Sequence, residues 1–167
     1  QIFDVSESFE QSKTVSIATQ TIPASRGEIV DAKGKPIVQN KVGFNVIIEK
    51  AFFPSDFQEG NEVLIRTVRL LNRQSLGWID TIPISFEQPY EFTVPEDDNS
   101  VTKLKELIGV NVYATAEDCI DKLIDDYKIS NEYSAMEQRI IAGIRYEMLL
   151  NNFSVSNRYT LAEDINM

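Results

Sequence analysis

The sequence predicts an α+β fold: short antiparallel strands and hairpins in the first half, and a helical second half. Three observations carry this. Before residue 94, apolar residues alternate in short runs bounded by Gly and Pro. After an acidic boundary at 95–100, "PEDDNS", they recur every three or four residues instead. The 167-residue chain is 43% hydrophobic and 25% charged, which is enough apolar material for a core within one domain.

In order, residues 1–13 read as a helix or a loose lead-in, and Val15, Ile17 and Thr19 alternate as a strand that Pro23 breaks. Residues 28–31 form the next strand and 36–39 its return, joined by a turn at 32–35 in which Gly34 can take positive φ. Pro36 lacks an amide proton, so it belongs at a strand start or an edge. Residues 40–41 turn again. Residues 44–48 then make a third, more buried strand, completing a meander.

Pro54, Ser55 and Asp56 signal a helix entry, and Leu64, Val68 and Leu71 keep helical spacing over 62–74. Residues 78–86 are extended, and 80–86 can form a hairpin with 90–94. Asn99 or Ser100 caps a helix over 101–108, which Gly109 stops. Thr115 caps the next helix, 116 to about 127, with acidic residues in its first turn where the helix dipole favours them. Ser134 caps the longest helix, 135–151, with a stripe of Met136, Ile140, Ile144 and Met148. A last strand runs over 153–161, and 161–164 opens another helix.

Composition excludes several functions. Net charge is −10, from 16 basic and 26 acidic residues, which opposes nucleic-acid binding and adhesion to anionic lipid. The chain has no His, which removes Ser-His-Asp and Cys-His mechanisms and His-ligated zinc. The single Cys119 has Glu117, Asp118 and Asp121 as neighbours, so it reads as a buried small hydrophobe rather than a reactive thiol. Asp121, Asp125 and Asp126 lack the alternating oxygen ligands and Gly of a calcium loop, so no metal and no cofactor is expected. No apolar run is long enough to cross a membrane.

One motif argues for chemistry. Ser100 and Lys103 match S-x-x-K, in which the Ser attacks an acyl carbon and the Lys, on the same helix face, helps accept its proton. Its companions S-x-N and K-[ST]-G are missing, and Asp97 and Asp98 would keep the Lys charged. A helix-capping Ser100 and a solvated Lys103 outweigh a Ser-Lys acyl transferase or hydrolase.

"SRGEIVDAKGKPIVQN", residues 25–40, resembles the R-G-x-I-x-D-x-x-G-x-x-[LI] motif that opens the non-catalytic N-terminal domain of class B penicillin-binding proteins. Arg26, Gly27, Ile29, Asp31, Gly34 and Ile37 carry the match, while Ala32 stands where the family usually has Arg. Residues 133–165 resemble the later helix, strand and helix entry of that domain.

The resemblance implies that residues 1–167 are a fragment of a pedestal, or dimerisation, domain. Residues 1–20 would be a membrane-proximal lead-in, 21–94 a strand-rich part and 100–167 a mainly helical part. It implies a domain without catalytic residues that lifts a peptidoglycan transpeptidase above the extracytoplasmic face of a bacterial membrane. The membrane anchor, the transpeptidase domain and the later pedestal segments would lie outside this fragment. Implied partners are the transpeptidase domain of the same chain, a membrane glycan polymerase and a second copy of the domain.

From their chemistry, Arg26 is expected to bridge carboxylates or carbonyls across the sheet. Asp31 is expected to accept amide protons in the turn. Phe52, Phe53, Phe57 and Trp78 are candidates for an apolar contact surface. A free-standing extracellular adaptor of similar fold is the competing reading.

Overall fold

The computed structural model describes residues 29–31, 36–38 and 43–165. They belong to two compact units, one within Gln1–Lys41 and one within Val42–Met167. In the first, strand β1 (Ile29–Val30) pairs antiparallel with β2 (Pro36–Val38), in the register Ile29 to Val38 and Val30 to Pro36. The lead-in at 1–13, the strand at 15–19, the break at Pro23, the turn at 32–35 and the turn at 40–41 lie outside the described residues.

The second unit opens with β3 (Phe44–Ile48) and continues through α1 (Phe57–Arg73), α2 (Asn99–Ile108), α3 (Ala116–Asp126) and α4 (Ala135–Leu150) to β4 (Tyr159–Ile165). Each helix among the described residues begins on a side-chain cap. Asp56 accepts from the Glu59 amide at 3.0 Å. Thr115 and Ser134 each build a reciprocal capping box, with Asp118 and Glu137 respectively. The cap of α2 is Asp98, which takes both the Ser100 amide and its hydroxyl, rather than Asn99 or Ser100. A carboxylate at the N-cap satisfies an otherwise unpaired amide and meets the positive end of the helix dipole. Gly109 ends α2 in the left-handed region at φ 73°.

Four expectations need correction. β3 does not continue a meander: its partner is β4, with Phe44 opposite Ile165 and Ile48 opposite Tyr159. It is also largely exposed rather than buried, with Phe44 at 52%. Residues 161–164 are strand, not a helix entry. Leu161, Ala162 and Glu163 favour helix, yet the ladder to β3 and the burial of Leu161 and Ala162 override that preference. Finally, α1, with 17 residues, is longer than α4, with 16.

The core lies around α4. Residues 139–148 of that helix are all buried, beneath α1, α2 and α3. Ile140, Ile144 and Met148 pack inside with Leu64, Val68, Leu104, Ile120 and Leu123, whereas Met136 stays exposed. Between α1 and α2 the chain is extended. The expected hairpin there shrinks to one bridge, Ile84 to Phe92, with Ser85 N–H donating to Glu91 O at 2.9 Å. The Gln88–Pro89 peptide at its tip is cis.

Candidate functional site

The polar residues of α4 form the most organised constellation in the second unit. Arg139 is 1% exposed and meets Asp80 in two hydrogen bonds, at 2.9 and 3.2 Å. Its Nε also donates to Ser85 O at 3.1 Å, and Nη2 donates to Ile84 O at 2.7 Å. The Phe86 ring covers the guanidinium at 4.5 Å, with Trp78 edge-on to that ring. One side chain therefore gathers the carbonyls of a segment that has almost no ladder of its own. A buried backbone carbonyl needs a donor, and a planar fork of five donors can serve several at once.

Eight residues on, about 12 Å along the helix axis, Glu147 grips the same segment. It accepts from the Thr81 amide at 2.7 Å and from the Thr81 hydroxyl. Ile79 N–H donates to Leu161 O at 2.8 Å, fastening the segment to β4 as well. Gly143 lies between the two anchors. A Cβ there would meet Arg139 Nη1 at 2.7 Å and Asp80 Oδ2 at 2.8 Å, so the ion pair fits only against a bare helix backbone.

A second buried arginine faces the other side. Arg145 Nε donates to Asn61 Oδ1 at 2.9 Å, and Nη2 donates to Phe57 O at 3.2 Å. Asn61 in turn donates to Tyr127 O at 3.0 Å, which ties α1, α4 and the end of α3 together. Gly60 makes room for this group, since a Cβ there would lie 2.7 Å from Arg145 Nη2. Burial pulls the Arg145 guanidinium down to about 10.

The residues singled out from the sequence fall elsewhere. Ile29 and Ile37 lie in the β1–β2 hairpin, and Asp31 follows β1. Arg26, Gly27 and Gly34 lie outside the described residues. The Ser100 hydroxyl donates to Asp98 at 2.6 Å, and Lys103 is exposed. A hydroxyl held by a carboxylate cap is not poised against a lysine base. Cys119 is fully buried, and burial pushes its thiol up to about 11. No group of three or more His, Cys, Asp or Glu suited to a metal ion occurs among the described residues. Phe52 and Phe57 are exposed, at 87% and 38%, Phe53 is 7% exposed, and Trp78 is half-buried. The expected apolar surface is therefore split between core and solvent.

Arg139, Arg145 and Glu147 were not legible as a site. At 3.6 residues per turn they point in three different directions around the helix, so no shared polar face marks them. Gly143, in the middle of an otherwise strong helix, was the available signal of a close approach.

No curated protein in the comparison matches the chain significantly. The family described as the penicillin-binding protein dimerisation domain matches residues 21–166, which includes every described residue. The motif at Arg26–Gly27 falls inside that match, as do the α4 anchors. The chain belongs to the penicillin-binding protein dimerisation domain family.

Proposed function

We propose that this domain is a rigid structural element that positions a peptidoglycan transpeptidase above the extracytoplasmic face of a bacterial membrane during cell-wall synthesis. Membership of the dimerisation-domain family carries the reading. The buried anchors on α4 support it, because they spend ionic groups on fixing backbone rather than on an open cleft. Arg26, Gly27, Ile29, Asp31, Gly34 and Ile37 would set the geometry of the hairpin unit within the same role. The transpeptidase domain of the same chain is its first partner; a membrane glycan polymerase and a second copy of the domain are further partners.

The gene on either side of this segment tests the reading. An upstream apolar run of about 20 residues and downstream S-x-x-K, S-x-N and K-[ST]-G are expected. A stop codon shortly after the codon for Met167 would instead make the chain a free-standing adaptor. The 167-residue chain itself should gain no covalent mass from a β-lactam. Labelling that disappears in Ser100→Ala would restore the acyl-transferase reading.

A further inference from the structure

Arg145 is 5% exposed and has no carboxylate partner among the described residues. Its two hydrogen bonds go to neutral oxygens, those of Asn61 and Phe57, which leaves the Nη1 protons without an acceptor among these residues. Compare Arg139, whose charge is met directly by Asp80. A buried cation without a counter-ion is costly, and proteins normally pair it. The rings of Phe53, Phe57 and Tyr127 lie 5.3, 5.6 and 5.3 Å from its guanidinium carbon and offset part of that cost. They offer no negative charge.

The same guanidinium lines a cavity of about 200 Å³ with Lys50, Phe57, Tyr127, Asn152 and Phe153. Two of its lining residues are cationic and none is acidic. Lys50 sits over the Phe153 ring at 5.5 Å, so both cations are held by aromatic faces. Asn152, in the left-handed region at φ 50°, adds an amide to the rim. The cavity is smaller than the roughly 300–1,000 Å³ of a site for a whole small molecule. It matches one amino-acid side chain or chain terminus.

We propose that this cavity is a recognition pocket for a single carboxylate carried beside an apolar group on a partner protein. The carboxylate would accept from the Arg145 Nη1 protons and from Lys50 Nζ, while its apolar neighbour packs on Phe57, Tyr127 and Phe153. Charge complementarity selects the occupant: two cations with no acid in the wall reject a cationic or phospholipid-amine group and favour an anion. The free Nη1 protons and Lys50 Nζ are charged donors, and a carboxylate oxygen accepts such bonds strongly. The same turn carries Phe52, exposed to solvent two residues after Lys50, as a further apolar contact for the partner. The proposal does not depend on the transpeptidase reading, because it concerns only what this wall of side chains can hold.

The test is a titration of the chain with 3-phenylpropionate and with its neutral amide, followed through the ¹H–¹⁵N resonance of Arg145 Nε. A saturable shift with the acid, at least about tenfold weaker with the amide, is expected; tenfold corresponds to about 1.4 kcal/mol. Acetyl-Ala-Phe with a free terminus, its amidated form and acetyl-Glu-Phe-amide then distinguish a chain terminus from an acidic side chain as the source. Lys50→Ala lies at the rim and should keep the fold while weakening the acid several-fold, so the test survives if Arg145→Met fails to fold. Equal shifts from acid and amide, no saturable shift, or an unchanged affinity in Lys50→Ala would each overturn the proposal.

Discussion

Arg139 on α4 and Asp80, 59 positions earlier, form a two-point ion pair whose side chains are 1% and 8% exposed. The same guanidinium supplies the hydrogen bonds that the 82–85 backbone cannot make with a neighbouring strand. The pair is thus a substitute for a piece of sheet. It holds an irregular segment against the central helix, and that segment in turn carries Ile82 and Ile84 into the core.

Removing one partner should be severe. Asp80→Ala leaves a buried guanidinium without its counter-charge and should cost about 3–5 kcal/mol in urea unfolding. An ordinary buried pair can often be replaced by two apolar residues at little cost. Here the Asp80→Leu, Arg139→Met double variant should stay destabilised, because the carbonyls of Ile84 and Ser85 lose their donor. Recovery of wild-type stability in the double variant would show that the carbonyl contacts are dispensable.

Gly143→Ala should destabilise although Ala is the better helix former. The new methyl would press on Arg139 and Asp80 at under 3 Å, and overpacking of this kind costs about 1–3 kcal/mol. Helix propensity alone predicts a gain of about 1 kcal/mol, so the sign of the change decides between them. Gly77→Ala is the control: nothing lies within 4 Å of its Cβ position, and thermal unfolding should move little.

Glu137 links pH to stability. Arg69 donates to it from Nε and Nη2 at 3.1 and 2.6 Å, and Ser134 adds amide and hydroxyl bonds. The Arg69 hydrogen bond leads the causes that hold its carboxyl below the usual value of 4.5. A depressed carboxylate stabilises the folded state above its unfolded value, and that contribution is lost as pH falls through the folded value. Stability should therefore decline as pH drops below 4.5, and Glu137→Gln should flatten this part of the curve. Denaturant midpoints of the two proteins between pH 6 and pH 3, read as midpoint against pH, check it; parallel curves would remove Glu137 from the account.

The local features were readable because their causes are local. Thr115 with Asp118, Ser134 with Glu137 and Gly109 past Ile108 act within one turn of chain, so their residue types are enough to place helix ends. The β1–β2 pairing was readable for the same reason, since five residues separate its strands. The family, too, was legible in the Arg26–Ile37 motif, which lies inside the matched residues 21–166.

Tertiary structure decided everything that depends on partners far along the chain. Phe44 finds Ile165 across more than a hundred residues, which makes strand of Leu161, Ala162 and Glu163, residues that favour helix. Arg66 and Arg139 are the same residue type within long helices, yet one lies exposed beside Glu62 and the other lies at the centre of the fold. Glu62 one turn before Arg66 and Gly143 one turn after Arg139 mark a contrast, but neither names the segment that packs on the helix. The difference is set by whether an irregular segment with unsatisfied carbonyls packs against that helix face, and burial then makes a fork of donors worth its desolvation.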